Sequence, residues 1–220
     1  MLVQVKDFNR SDKLLSNKYA TQWEDLVQVL EEMPLHLKPS GQNGLQGNAI
    51  FDPVGTNEYI KSALSQRPGW HSNVTIPAKY KCLGTGVDFI NGGVLVEVQF
   101  SNYPFLLNNL VRSELLFQAK IPLKIQPVEV VIIITKAHML PASNSTLYYE
   151  QAQDQLSILA EGNVYDVPIK LVGLFGSIGD IKATWTEYEG SGSRTVVNQD
   201  TKTFCIKQSP KKKIATITVT

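Results

Sequence analysis

The chain has 220 residues, of which 43% are hydrophobic and 19% charged; that suits one large packed domain, or a core with a small subdomain, and excludes a disordered chain. A formal net charge of +1 argues against a non-specific nucleic-acid coat, but not against DNA binding in a concave site, where local charge outweighs the sum. The opening MLVQVKDFNRSDK lacks an apolar stretch after its charges, and no segment approaches the roughly 20 apolar residues of a membrane helix, so a soluble cytoplasmic protein without a membrane partner is expected.

Trp23 to Met33 places Trp23, Leu26, Val27 and Leu30 at helical spacing, and Pro34 ends that helix. Pro39 to Asn48, rich in Gly, Gln and Asn, reads as a loop. A second helix is expected from Thr56 to Gln66, with Thr56 or Asn57 as N-cap, and Gly69 to Lys81 reads as irregular. Val87 to Ile90, a turn at Asn91-Gly92-Gly93, and Val94 to Phe100 form a predicted β-hairpin. Tyr103 to Ala119 is helical, using Phe105, Leu106, Leu110 and Leu116. The β-branched run Val128 to Thr135 suits a central strand buried on both faces. After a loop from His138 to Ser145, a helix is expected from Thr146 to Glu161, with Gly162 as its C-cap, and then a buried strand from Ile169 to Phe175. From Ile178 onward, Gly-Ser turns and Thr-rich stretches predict short antiparallel strands at Arg194 to Val197, Thr203 to Lys207 and Ile214 to Thr220. The expected fold class is α/β (α+β): a mixed central β-sheet flanked by helices, then a small C-terminal antiparallel β subdomain.

Cys82 and Cys205 are far apart and lack metal spacing, so both are expected to be reduced and structural. His36, His71 and His138 are isolated, which argues against zinc. The basic run Lys211-Lys212-Lys213 fits either a solvated turn or a phosphate contact.

The chemistry-bearing stretch is the hairpin. Side chains alternate along a strand, so Val94, Val96 and Val98 share one face, while Glu97 and Gln99 project from the other. The hairpin folds Asp88 back beside Glu97. Two carboxylates and a polar neighbour at a sheet edge can hold Mg2+, which wants few carboxylates and keeps positions for water and phosphate. Any solvent-facing strand can also carry Glu-x-Gln, so the spacing alone leaves a plain surface pair open.

The pattern Asp88-x8-Glu97-x-Gln99 resembles the PD-(D/E)xK nuclease motif, with Gln where most members have Lys. Leu95 to Asn109 (LVEVQFSNYPFLLNN), Ile50 to Asn57, Pro141 to Ser145 and Leu147 to Gln153 resemble type II restriction endonucleases, a likeness that reaches about Gly173 and continues more weakly beyond. The resemblance implies a restriction-endonuclease-like fold, with a catalytic nuclease core over 1–175 and a β-rich DNA-binding subdomain over 176–220. It implies metal binding by Asp88, Glu97 and the carbonyl of Val98. Gln99 would lie near the attacking water, and Asn73 would help position that water, although Asn73 by itself reads as a turn former. Base reading would fall to Ser101, Asn102, Asn144 and Ser145, of which Ser145 also reads as a helix N-cap. Arg112 would contact phosphate or base, or pair with Glu114 or a neighbouring helix; Arg194 would approach DNA.

The reaction implied is Mg2+-dependent hydrolysis of double-stranded DNA at the palindrome AGATCT, cut after the first A to leave 5′ GATC overhangs. A homodimer and a cognate methyltransferase in a prokaryotic host are implied with it. Where similar enzymes carry an aromatic residue before Ser193-Arg194-Thr195, this chain has Glu189-Gly190-Ser191-Gly192, one residue shorter, which bears on the outermost base pair. The rival readings are a repair-type nuclease on the same core and a sequence-specific binder that does not cleave.

Overall fold

Residues 94–98 and 130–136 are buried at every position, a pattern that requires a sheet covered on both faces. The computed structural model describes residues 1–143, 145–190, 192–208 and 210–220. Strand β1 (Leu2–Phe8) leads to helices α1 (Ser11–Ser16) and α2 (Ala20–Glu32), strands β2 (Leu35–Pro39) and β3 (Ala49–Phe51), and helix α3 (Pro53–Ser65). Next come β4 (His71–Thr75), a 3-10 helix (Ala78–Leu83), the hairpin β5 (Gly86–Asn91) and β6 (Val94–Val98), and α4 (Tyr103–Gln118). A small ribbon, β7 (Pro122–Leu123) and β8 (Gln126–Pro127), precedes β9 (Val130–Lys136), α5 (Tyr149–Glu161) and β10 (Ile169–Phe175). Strands β11 (Gly179–Tyr188), β12 (Val196–Lys207) and β13 (Thr216–Val219) complete the chain.

The six-stranded central sheet runs β1-β10-β9-β6-β5-β4. Its middle strands β6, β9 and β10 are parallel, and its outer strands are antiparallel to their neighbours. The pleat assigns Val94, Val96, Ile132, Ile134, Val172 and Leu174 to one core cluster, which includes Leu26 and Leu30 of α2. Leu95, Val131, Ile133 and Leu171 face the other, with Leu106, Leu110 and Leu116 of α4 and Ala152 and Leu156 of α5. The α+β architecture expected from the pattern is the one present. No helix among the described residues is long and apolar enough to cross a membrane.

The second sheet runs β13-β12-β11-β2-β3. The C-terminal strands are antiparallel to one another, but β11 also pairs in parallel with β2, so residues 35–51 complete the same sheet. Phe204, Ile206, Ala183 and Trp185 join the first core cluster, so this sheet packs continuously on the central layer.

Several boundaries move for identifiable reasons. Helix α3 begins at Pro53, ahead of Thr56, because Asp52 is the N-cap: its carboxylate accepts from Val54 N at 3.1 Å, and proline suits the first helical position. The expected irregular stretch contains the strand β4 and the 3-10 helix. Helix α5 begins at Tyr149 and not at Thr146, so Ser145 is not its cap; Gly162 follows it with φ −78°, and the left-handed residue is Asn163. Strand β9 starts after Glu129, whose carboxylate accepts from Lys18 Nζ at 2.7 Å. The expected short strands at 194–197 and 203–207 belong to one long strand, β12, and β11 was not anticipated. Phe105 is exposed and does not contribute to the buried face of α4. Cys82 and Cys205 are free thiols, and Cys82 is exposed and so not structural.

Candidate active site

The hairpin register brings the chemistry together. Ser72 pairs with Phe89 and Val74 with Val87, which sets Asn73 opposite Asp88. Phe89 pairs with Val96, and one further step sets Asp88 opposite Glu97. Three polar residues therefore stand in a row across β4, β5 and β6. Asn73 takes φ 52°, a left-handed conformation that Asn tolerates better than most residues, and this interrupts an otherwise regular edge strand.

Asp88 is anchored by the backbone, its Oδ2 accepting from Val98 N at 2.7 Å. Burial pushes its carboxyl above the usual range, against the pull of that N–H and of Arg112. Glu97 is only 2% exposed. Burial pushes its carboxyl up to about 8, Arg112 opposing the rise and Asp88 adding to it. The Arg112 guanidinium donates to Glu97 Oε1 at 2.5 Å, to Asn109 Oδ1 at 3.0 Å and to the Leu83 carbonyl at 3.3 Å. Arg112 is therefore buried behind the carboxylates, not directed at phosphate or base and not paired with Glu114. The glycine at position 84, with φ 124°, leaves room for that guanidinium, because a Cβ there would collide with it.

Asn73, Asp88 and Val98 line a cleft of about 290 Å3 together with Asn57, Glu58 and Lys61 of α3 and Arg194. Arg194 also lines an adjoining groove of about 750 Å3 with Lys38, Gln42, Ser143 and Tyr188. Hard oxygen donors from two adjacent, desolvated carboxylates fit a divalent cation such as Mg2+. Two neighbouring carboxylates raised by burial gain from a cation, and Asp88 Oδ1 and Glu97 Oε2 are left over from the bonds that anchor these side chains.

Gln99 follows β6 and is half-buried; its amide oxygen accepts from Ser101 Oγ at 3.4 Å, and its backbone N donates to the Ile134 carbonyl. Because β6 and β9 are parallel, the chain segments that follow them emerge at the same end of the sheet, where open α/β sheets place their ligand sites. Thr146 N and Leu147 N both donate to the Ser101 carbonyl, and Thr146 Oγ1 donates to Asn102 Oδ1. Ser101, Asn102 and Ser145 thus form one surface beside the cleft; Asn144 lies outside the described residues.

Of the residues that the sequence singles out, Asn73, Asp88, Val98 and Arg194 line the cleft; Asn57, Glu58 and Lys61, which line it with them, are not among those candidates. The pattern Asp52-Pro53 was the available signal, since it starts α3 early enough to place those side chains on its exposed first turns. Lys136, fully buried at the end of β9, was also missed.

The family model described as restriction endonuclease BglII/BglIII matches residues 3–174. The type II restriction enzyme BglII of Bacillus subtilis is 49% identical over 203 residues, covering 91% of this chain and 89% of that protein. A crystal structure of restriction endonuclease BglII complexed with a DNA 16-mer superposes with TM-score 0.94 at 46% identity, and one of free BglII with TM-score 0.78 at 44%, each covering 100% of both chains. A match over most of the chain leaves one assignment: the chain belongs to the BglII/BglIII family of restriction endonucleases.

Proposed function

We propose that this protein is a Mg2+-dependent restriction endonuclease that hydrolyses double-stranded DNA at the palindrome AGATCT, after the first A, leaving 5′ GATC overhangs. The observation that carries this reading is the row Asn73, Asp88 and Glu97 across three adjacent strands, of which Asn73 and Asp88 line a cleft together with Lys61 and Arg194. The relative described as type II restriction enzyme BglII supplies the reaction class.

Bound magnesium supplies Lewis-acid polarisation of the scissile phosphoryl group and neutralises charge developing on it. Asp88, Glu97 and the Val98 carbonyl would hold it. The Val98 N–H and the Arg112 guanidinium keep the two carboxylates in place before the metal arrives. Asn73 and Gln99 orient the attacking water. Gln has no basic form, so the proton of that water leaves to another group, such as a phosphate oxygen of the DNA. In-line attack then releases the 3′ oxygen and leaves a 5′ phosphate. Ser101, Asn102, Asn144 and Ser145 read base edges, an Asn amide matching adenine in the major groove. Arg194 and Lys61 contact phosphate, and the β-rich segment 176–220 contributes the Arg194 side of the groove.

A palindrome calls for a two-fold dimer, each protomer cutting one strand. Tyr103, Leu107 and Val111 form an exposed apolar stripe on α4 with Phe105 beside it, a surface suited to a second copy. A cognate methyltransferase would protect the host genome in the bacterial cytoplasm. Digestion of a long unmethylated duplex with and without Mg2+, every end being sequenced, tests the proposal. Metal-dependent ends at AGATCT are expected. Ends at another GATC-containing site would overturn the outer base pair and direct attention to Gly192; binding without ends would favour a non-cleaving binder.

A further inference from the structure

Lys136, the last residue of β9, plays no part in the proposed chemistry and yet is fully buried. A lysine at the end of an apolar strand ordinarily carries its ammonium out to water along its flexible stem. Here Nζ turns inward. It donates to Ser145 Oγ at 2.6 Å and to the Leu147 carbonyl at 2.9 Å, and lies 4.3 Å from the centre of the Tyr148 ring. Among the described residues no carboxylate pairs with it. Burial alone drives its pKa down to about 8. A buried ammonium without a counter-ion opposes folding, and a methionine would fill much of the same volume at no such cost. The charge must therefore be examined for what it holds.

It holds the segment after β9. Ser145 Oγ, besides accepting from Lys136, lies 2.7 Å from the carbonyls of both Phe100 and Ser101, to either of which it can donate. The Tyr148 hydroxyl donates to the Ser145 carbonyl at 3.2 Å. With the bonds from Thr146 and Leu147 to Ser101, the segments after β6 and β9 become one block. Those are the segments that carry Ser101, Asn102 and Ser145. The ammonium's three N–H groups and its charge fix that block from below, a task that no apolar side chain performs.

We infer that Lys136 is a positioning residue for sequence recognition: it fixes Ser145 and the Leu147 carbonyl, and through them the placement of residues 145–147 against Ser101 and Asn102. The inference rests on the proposed reading of those residues as the base-contacting surface. It predicts a defect in selectivity, distinct from a defect in stability or in chemistry.

The test is Lys136→Met, assayed for kcat/KM on AGATCT and on each single-base-pair variant of that site with Mg2+ present. The ratio of the two values on one preparation does not depend on how much of the protein is folded. Expected is a drop in that ratio of about tenfold or more for at least one base pair, since a well-placed base contact discriminates by about that much. Tyr148→Leu, at a half-buried position, removes the ring beside the ammonium and the hydroxyl bond to Ser145 without opening the core, and is expected to lower the ratio in the same direction. It also serves if the methionine variant does not fold. An equal loss at every site, with the ratio unchanged, would mean that Lys136 is structural only and would overturn the inference. Wild-type ratios in both variants would do the same while leaving the reading of the surface intact. Failure of the wild-type protein to discriminate at AGATCT would remove that reading and the inference together.

Discussion

Asp52 ties helix α3, which lines the cleft, to strand β11, whose Tyr188 lines the adjoining groove, and removing it should loosen both. Its carboxylate is fully buried. It caps α3 through Val54 N and accepts from the Tyr188 hydroxyl of β11 at 2.6 Å, with Lys38 Nζ at 4.0 Å. Burial and the carboxylate together push the Tyr188 hydroxyl's pKa upward, as expected for a phenol that must keep its proton to donate. In Asp52→Ala the lost cap costs about 0.5–2 kcal/mol. The lost bond to a charged acceptor costs about 1.5–3 kcal/mol, and the Tyr188 hydroxyl is left without its partner. The Lys38 contact, at the limit of an ion pair, adds little. Together these give a loss of about 2–5 kcal/mol, large against the ~5–15 kcal/mol that a domain of this kind possesses. Tyr188→Phe alone should cost about 1.5–3 kcal/mol, and close to nothing in the Asp52→Ala background, so the coupling energy should equal the hydrogen bond. Urea denaturation of the four proteins measures every term. A loss below about 0.5 kcal/mol for Asp52→Ala, less than the cap alone should cost, would refute the reasoning, as would an equal Tyr188→Phe effect with and without Asp52.

Glu97→Ala should lower cleavage more than about a hundredfold, because a lost metal ligand forfeits several kcal/mol of charge stabilisation, while band-shift affinity for the site is retained. Cutting at the wild-type rate would remove Glu97 from the ligand set. Asn144→Ala should weaken discrimination at one base pair by about 1–3 kcal/mol, measured as cleavage of single-base variants; unchanged selectivity would rule out that contact. Lys136 has a folded pKa lowered from 10.5 to about 8, so the unfolded chain binds more protons between those values and stability rises with pH across that window. The gain is on the order of a few kcal/mol, and the difference in denaturation midpoint between the wild-type protein and Lys136→Met should change over that range; a constant difference would contradict it. His36, buried with neither ring nitrogen bonded to a described group, has a lowered pKa caused by burial. Its contribution to stability is therefore complete above pH 6.5 and falls away as the pH drops toward the lowered value, an effect that His36→Gln should abolish in acid titration.

What could be read from the sequence depended on whether the pattern was local. The run Val128 to Thr135 was legible as a central strand because β-branched residues serve both faces of the sheet, odd and even positions of β9 entering different core clusters. The placing of Asp88 opposite Glu97 was legible because a tight turn at Asn91-Gly92-Gly93 leaves the register little choice. Strand β4 was not, since HSNVT is polar, lies at an edge and contains a residue with positive φ. Strand β11 was not, because its inward residues, Ala183 and Trp185, become a buried face only once β2 pairs alongside from the other end of the chain. The start of α5 was placed too early because the apolar spacing continues back to Leu147, whereas Lys136 and Ser101 hold residues 145–147 out of the helix.

Four residues that violate local rules lie near one end of the central sheet. Glu97 is a carboxylate on a fully buried strand, Arg112 a guanidinium on the buried side of α4, and Lys136 an ammonium at the end of an apolar strand; Asn73 adopts a left-handed conformation within β4. The parallel arrangement of β6 and β9 brings Glu97 and Lys136 to the same end of the sheet, and the register puts Asn73 in the same row as Asp88 and Glu97. The buried Lys136 ammonium opposes folding at neutral pH by an amount on the order of a few kcal/mol. Arg112 and Lys136, neither of them part of the nuclease motif, thus add buried charge to the end of the sheet that carries the carboxylate pair.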